Sequence, residues 1–365
     1  MPHQAVVLAL LSAALFGVST PAAKALLGAI DPIVLAGLLY CGAGLGIALL
    51  RRIGHSLLVV RAGPPEVPLQ RADIPWLAGA VAAGGVIGPV LLMAGLARSE
   101  AATASLLLTL EGVATALMAW FIFHENFDRR IALGMACLVA GAAVLAWSGQ
   151  PAHSGLLGPL AIIGACAAWG LDNNLTRKVS LADPLQIVEF KGLIAGPVNV
   201  ALGLLAGGGL PGFSAVLLAG IVGFLGYGLS LALFVIALRH LGAARTGAYF
   251  STAPFIGAIA AAVFLREPVT VQLVIAGLLM AAGVWLHLTE EHEHVHVHQP
   301  MEHSHPHVHD VHHQHAHGPD DPPGEPHTHR HCHERLVHRH RHVPDMHHTH
   351  RHEEARTRER GGAPD

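Results

Sequence analysis

Charged residues are scarce in this chain. Only 13% of its 365 residues are Asp, Glu, Lys or Arg, whereas soluble domains carry about 25%. Aromatic residues contribute 5% of the sequence and apolar residues 52%. This composition excludes an ordinary soluble domain and indicates helices embedded in lipid, packed through small side chains rather than aromatic rings.

The sequence also has few cysteines and lacks a nucleotide-binding signature. The sequence has 4 cysteines, and Cys41, Cys137 and Cys166 fall inside apolar stretches. Their spacing matches neither a disulfide framework nor a zinc motif. No GxxxxGK[ST] segment occurs, which argues against transport driven by ATP. No nucleophile–base arrangement suggests catalysis, so we expect no enzyme, no required cofactor and no nucleic-acid partner.

Long apolar stretches fill the first 288 residues. A helix needs about 20 apolar residues to cross roughly 30 Å of hydrocarbon. The sequence therefore predicts an all-α polytopic membrane protein with ten transmembrane helices. We place the spans at about 4–26, 32–50, 74–97, 101–123, 130–148, 156–175, 185–206, 214–238, 243–265 and 270–288.

The predicted spans form two copies of one five-span pattern. At a constant offset of 142 residues, Ala101 corresponds to Ala243 and Glu125 to Glu267. An odd number of spans inverts the second copy in the membrane, and inverted repeats commonly place a transporter's substrate site where the halves meet. We divide the chain into a first repeat, a second repeat and a tail, at 1–150, 151–288 and 289–365.

Basic residues concentrate in alternate connections between the spans. Arg51, Arg129, Arg177 and Arg239 all lie in connections that share one side of the membrane. Short cytoplasmic loops carry the excess of Lys and Arg. We therefore expect both termini in the cytoplasm and the body in a bacterial cytoplasmic (inner) membrane.

The fourth and fifth spans of both repeats end in similar short segments. The fourth spans end in HEN at 124–126 and REP at 266–268, and the fifth spans close on AGAAVLAW or AAGVWL. With the two five-span repeats, these segments resemble the EamA family of the drug/metabolite transporter superfamily. The resemblance covers about 1–288. It implies a secondary transporter, expected to be an exporter, that moves a small metabolite or drug-like solute by alternating access. It does not identify the substrate, and it leaves open whether the protein forms a homodimer.

Polar and ionisable residues inside the spans are the candidates for solute binding or coupling. Each charged group costs roughly 2.5–3.5 kcal/mol at the centre of a membrane helix, so it needs a partner or a cavity. The candidates are Glu111, Asp172, Asn173, Asn174, Glu189 and Lys191.

Glu111 is the principal candidate because it lies midway along the fourth span. Gly112 follows it, and the second repeat has Ala253 and Pro254 at the matching places. A glycine or proline at this depth frees backbone groups that can line a cavity. We expect Glu111 to serve as a proton or cation site; the alternative is a structural carboxylate bonded to a neighbouring helix.

The other candidates fall in the sixth and seventh spans. Asp172, Asn173 and Asn174 stand where the first repeat has STP at 19–21. Three consecutive residues cannot all face one side of a helix, so the triplet either faces substrate in part or marks a helix end. Glu189 and Lys191 point roughly 200° apart on a helix, and we expect one of them to face the cavity.

Glu125, Glu267 and Pro254 are predicted to be structural. The two glutamates occupy equivalent turns between the fourth and fifth spans. A carboxylate there suits the positive N-terminal end of the helix that follows.

The tail is rich in histidine, and most of the 29 histidines lie after Thr289. With little apolar mass, it is expected to be disordered. Imidazole binds zinc, nickel, cobalt and copper, so we expect the tail to bind such ions. The first candidate ligands are His292, His294, His296, His298, His303, His305, His307, His309, His312, His313, His315 and His317.

The histidines leave two alternatives to solute export. One is efflux of a divalent metal ion such as nickel, cobalt or zinc, with the tail as a cytoplasmic collector. The spans argue against it, because they hold no HxxxD or paired-Asp arrangement suited to a dehydrated metal ion. The other is a membrane-anchored metal buffer or sensor whose body does not transport.

Overall fold

A computed structural model describes most of the membrane body and parts of the tail. The described residues are 2–54, 71–122, 129–146, 156–177, 179, 183–241 and 243–288, with the tail segments 292–298, 301–307, 327–333 and 336–342. Fourteen α-helices occupy the body: α1 Pro2–Leu26, α2 Pro32–Gly54, α3 Ile74–Ala80, α4 Gly88–Leu96, α5 Ala101–Leu107, α6 Leu110–Phe121, α7 Arg129–Ala146, α8 Leu157–Arg177, α9 Pro184–Leu205, α10 Phe213–Gly223, α11 Ser230–Leu241, α12 Ala243–Phe250, α13 Ala253–Phe264 and α14 Val271–Leu288.

Six helical runs in the described residues are long and apolar enough to cross a membrane. They are Gln4–Leu26, Pro32–Arg52, Ile74–Leu96, Ala101–Phe121, Leu185–Leu205 and Phe213–Ala237. Shorter apolar helices lie at Ala132–Ala146, Ala253–Phe264 and Val271–Leu286. The polar triplet that begins at Asp172 lowers the mean hydropathy of α8. The chain is thus a polytopic integral membrane protein with a helical body.

The helices follow the same order in both halves. Each half has two single helices, then two helices joined by a π-helical segment, then a broken helix, then a single helix. The π-helical segments are Val81–Ile87 and Phe224–Leu229. Contacts between the halves also repeat, because α1 packs on α11 and α13 as α8 packs on α4 and α6, while α2 pairs with α9 and α7 with α14.

The fourth and ninth predicted spans are each divided into two helices, close to the Gly112 and Pro254 positions at which the sequence predicts a loosened helix. Thr109 donates its hydroxyl to the Leu106 carbonyl at 2.8 Å between α5 and α6. Thr252 makes the same bond to the Tyr249 carbonyl, at 2.6 Å, between α12 and α13. A threonine that bonds the preceding turn competes with the helical ladder. At both breaks the backbone closes tighter turns, in which Thr109 and Thr252 also donate their N–H groups to Leu106 and Tyr249.

Small residues allow a close contact between the halves where α2 crosses α9. A Cβ added to Gly192 would lie 2.5 Å from the Gly44 Cα. Only glycine permits such an approach, and small residues at contacts are typical of helices packed in lipid. We infer that this crossing fixes the distance between the halves.

Four β-strands lie in the tail, where the sequence predicts disorder. They are β1 His292–His298, β2 Met301–His307, β3 His327–His333 and β4 Leu336–His342. β1 pairs antiparallel with β4, and β2 with β3. Alternating His-X-His has the two-residue period of a strand. A prediction from composition alone does not take this period into account. Two-stranded ladders are marginally stable by themselves.

Candidate functional site

A cavity of about 500 Å³ opens among helices of both halves. It lies at the breaks between α5 and α6 and between α12 and α13. The lining residues are Phe16, Leu108, Thr109, Glu111, Gly112, Thr115, Ala116, Ala119, Leu138, Asn173, Asn174, Phe250, Ser251, Ala253, Pro254 and Val284. The volume falls within the range of about 300–1,000 Å³ that is usual for small-molecule sites.

Glu111 lies in the cavity on the first turn of α6. Its Oε1 accepts a hydrogen bond of 2.9 Å from the Asn173 side-chain amide on α8. The same amide nitrogen lies 3.2 Å from the Thr115 hydroxyl, one turn along α6. The break before α6 and the close approach of α8 thus bring a carboxylate and an amide from different halves into one polar pair.

Asn174 has a different role from its neighbour, although both line the cavity. Its side-chain amide donates to the Thr115 carbonyl at 3.1 Å and to the Gly170 carbonyl at 2.8 Å. A Cβ on Gly170 would lie 2.8 Å from the Ala114 Cβ. Asn174 therefore ties α8 to α6 at a crossing that leaves no room for a larger residue.

Asp172 points away from the cavity and forms an ion pair with Lys191 of α9. The Lys191 Nζ lies 2.5 Å from the Asp172 Oδ1. The Thr176 hydroxyl donates to the same oxygen at 2.9 Å and accepts from Lys191 at 3.0 Å. Asp172 is only 7% exposed. The pair satisfies two charges that would otherwise be costly inside a membrane helix.

The π-helical segment beside Asp172 exposes a backbone acceptor. The Gly84 carbonyl accepts from the Tyr40 hydroxyl at 2.7 Å and from the Trp169 indole at 2.9 Å. Asp172 packs so closely that a Cβ on Gly84 would lie 1.9 Å from its Oδ2. π-Helical turns release backbone carbonyls and recur at functional sites. This segment joins α2 and α8 next to the cavity.

Glu189 faces neither the cavity nor Lys191. Arg51 on α2 donates hydrogen bonds to the Glu189 carboxylate and, at 2.9 Å, to Asp183 before α9. The side chains of Arg51, Asp183 and Glu189 are partly exposed, between 21% and 30%. This cluster lies at one end of the bundle and links the two halves there. Lys191 does not line the cavity either.

Glu267 caps a helix of the other half rather than the helix that follows it. Its two carboxylate oxygens accept from the Ala101 and Ala102 backbone N–H groups, each at 2.7 Å. The sequence predicts a structural Glu267 near the start of α14, whereas the hydrogen bonds of its carboxylate go to α5. The first N–H groups of α5 have no acceptor within the helix. Glu267 supplies the acceptors, although it lies 166 residues from Ala101 and 165 residues from Ala102.

Removing the Glu267 cap has a predictable cost. We expect Glu267→Ala to lower the free energy of unfolding by about 1–2 kcal/mol, because two backbone donors lose a charged acceptor. Glu100→Ala is the matched control, since Glu100 is the N-cap residue of α5 but makes no side-chain capping bond. Thermal unfolding of both purified variants in detergent measures the effect. An equal shift for both would contradict the proposed cap.

The two repeats differ in polarity at matching positions. Glu111 and its counterpart Ala253 both line the cavity. Ser19, which stands in the place of Asp172, lies against Gly226, as Asp172 lies against Gly84. The backbone contact is thus repeated while the charge is not. Polar side chains collect on one side of the cavity, from α6 and α8.

Some predicted residues lie outside the description of side chains. Glu125 is not among the described residues. For the tail, the structure describes only the backbone of His292, His294, His296, His298, His303, His305 and His307, and leaves out His309, His312, His313, His315 and His317. Among the described residues no cluster of three or more His, Cys, Asp or Glu could hold a metal ion. Metal binding by the tail stays a prediction.

Sequence reasoning missed the aromatic part of the cavity and most of the partners of the charged residues. Phe16 and Phe250, whose ring centroids lie 5.3 Å apart, both line it. Phe16 corresponds to Trp169 in the second repeat, and this correspondence is the one sequence feature that points to the position of Phe16. Thr115 could have been found from its spacing of four residues from Glu111, which places both on one face of a helix.

Helical runs of membrane-spanning length around an internal, solute-sized cavity define the class of this protein as a polytopic integral membrane protein. A model of the EamA-like transporter family matches residues 3–147 and 156–289. The chain belongs to the EamA-like transporter family, which confirms the resemblance seen in the sequence.

Individual relatives agree with this assignment. The chain is 29% identical over 282 residues to an uncharacterized transporter of Methanothermobacter thermautotrophicus, covering 74% of this chain and 82% of the relative. It is 28% identical over 278 residues to the uncharacterized transporter YvbV of Bacillus subtilis, covering 73% and 85%. A solved crystal structure, 20% identical, superposes with a TM-score of 0.54 over 78% of this chain and 95% of the other. At that identity, the likeness shows the fold alone.

Proposed function

We propose that this protein is a secondary transporter, working as an exporter, of a small metabolite or drug-like solute. One observation carries the proposal: a cavity of about 500 Å³ lies among helices of both halves and holds the Glu111 carboxylate. A carboxylate at membrane depth is costly unless it serves a pathway or a partner. Its side-chain hydrogen-bond partner, Asn173, is neutral.

Alternating access is the mechanism that this arrangement supports. We propose ten spans in two inverted five-span repeats, since the order of helices and their contacts repeat between the halves. The cavity lies at the two helix breaks, so rocking of one half against the other opens it to each side in turn. Both termini then lie in the cytoplasm, with the body in the bacterial cytoplasmic membrane.

Glu111 couples solute movement to a proton in this proposal. The carboxyl exchanges a proton with whichever side the cavity faces, and solute binding competes with that proton. Asn173 holds the carboxyl in the cavity through a bond that a neutral acid can also make, and its amide nitrogen also lies within hydrogen-bond distance of the Thr115 hydroxyl. The ion pair of Asp172 and Lys191 stays outside the cavity and keeps α8 and α9 together.

A transport screen of two proteins tests the proposal. Vesicles containing either the full chain or a variant ending at residue 288 are assayed for efflux of metabolites and of nickel, cobalt and zinc. We expect both proteins to move the same organic solute, because the cavity lies wholly within the body. Efflux of metal ions alone, lost when the tail is removed, would contradict the proposal and favour a metal exporter with a collecting tail. A phenotype carried by the tail alone would favour a buffer or sensor.

A further inference from the structure

The charge of the cavity points to a class of solute. Glu111 is the single charged residue among the described residues that line it. The nearest basic candidate, Lys191, is committed to Asp172 and Thr176 and does not line the cavity. An anionic solute would therefore meet a carboxylate and no cation, whereas a cationic solute would supply the charge that Glu111 lacks.

Space for a head group lies directly beside the carboxylate. Apart from Glu111, Val113 and the backbone of α6, no heavy atom of the described residues comes within 4 Å of the position that a Cβ on Gly112 would occupy. Gly112 follows Glu111 and lines the same cavity. An ammonium group is compact and donates hydrogen bonds in several directions, so it can reach the carboxylate without displacing Asn173.

Another part of the lining suits an apolar body. The rings of Phe16 and Phe250 lie 5.3 Å apart at an angle of 45°. Aromatic faces attract cations and also bury apolar surface. Small apolar residues, including Ala116, Ala119 and Val284, complete the cavity. We propose that the cavity binds solutes with one cationic amine and an apolar or aromatic body, in preference to neutral or anionic analogues.

This inference rests on the proposed transport function, and it is tested by binding. The probes are phenylbutylamine, phenylbutanol and phenylbutanoate, which share one body and differ in head group. Calorimetric titration of the full chain in lipid nanodiscs, corrected with empty nanodiscs, measures each affinity at neutral pH. We expect the amine to bind about tenfold more tightly than the alcohol or the acid.

Two variants locate the preference at Glu111. Glu111→Gln should weaken amine binding about tenfold and leave alcohol binding unchanged. The double variant Glu111→Gln/Asn173→Asp moves the carboxylate to the other end of the hydrogen bond of 2.9 Å, with almost no change in volume. We expect it to recover the amine preference, which a merely structural Glu111 could not explain.

Several outcomes would overturn the inference. Equal binding of all three probes to the wild type would do so, as would equal weakening of all three by Glu111→Gln. If Glu111→Gln fails to fold, loss of the amine preference in a folded Glu111→Gln/Asn173→Asp variant contradicts the inference. Exchange of a labelled solute in vesicles separates the two proposals. Exchange without amine preference contradicts only the cation inference, and amine preference without any exchange contradicts only transport.

Discussion

Lys191→Met is expected to destabilise the protein by about 3–5 kcal/mol, because it leaves the Asp172 carboxylate buried without a cation. Asp172 is 7% exposed, and its ammonium partner lies 2.5 Å away. The Thr176 hydroxyl would remain as its side-chain donor. Thermal unfolding of the purified protein in detergent should show a much lower midpoint, together with a lower yield of folded protein.

The double variant Asp172→Asn/Lys191→Met is the control for this prediction. Replacing both members of a buried ion pair is often close to neutral, whereas removing one is not. We therefore expect the double variant to recover most of the lost stability. A Lys191→Met protein that unfolds at the wild-type temperature would show that the pair contributes nothing to the stability of the fold.

Glu111→Gln is expected to reduce proton-driven transport to the background of empty vesicles while leaving expression and folding intact. Glutamine keeps the size of the side chain and an oxygen for the Asn173 bond of 2.9 Å. It cannot bind or release the coupling proton. Solute accumulation in vesicles with an imposed pH gradient measures the effect, after a screen has identified a solute.

Glu189→Gln is the matched variant for this comparison. Glu189 is also a carboxylate in a membrane helix, but it pairs with Arg51 at one end of the bundle and does not line the cavity. We expect this variant to keep proton-driven accumulation. Accumulation by Glu111→Gln at the wild-type rate would remove Glu111 from the coupling mechanism.

Hydropathy and the repeat offset made the membrane body predictable. Both depend on residues close in sequence, and lipid imposes a fixed length on each apolar span. The depth of Glu111 follows from the same pattern, since it lies ten residues after Ala101 at the start of its span. Its presence in a cavity could therefore be anticipated from the sequence.

Partners across the bundle could not be predicted in the same way. Glu267 reaches Ala101 across most of both repeats, and Lys191 reaches Asp172 across a helix crossing. Such pairs depend on crossing angles and on glycine contacts such as Gly44 with Gly192. A single sequence contains no direct record of these.

Gly112 and Pro254 mark in the sequence where both helices loosen, but the threonines at which the helices end escaped the sequence pattern. Apolar periodicity continues through Thr109 and Thr252, because a threonine hydroxyl can be satisfied inside a helix by the preceding turn. The structure uses both hydroxyls in this way and ends a helix at each. The breaks place Glu111 and Ala253 at the starts of new helices, and that position creates the cavity.

The central claim is that solute passes through the cavity that holds Glu111. The most direct test is the exchange of a labelled solute by vesicles that contain the Gly112→Leu variant. A Cβ at Gly112 meets no atom within 4 Å, so leucine fills the cavity without straining α6. Gly220→Leu in α10 is the control, because that glycine has equal space and lies outside the cavity lining. We predict exchange by the wild type and Gly220→Leu, and none by Gly112→Leu. Undiminished exchange by a folded Gly112→Leu protein would contradict the account.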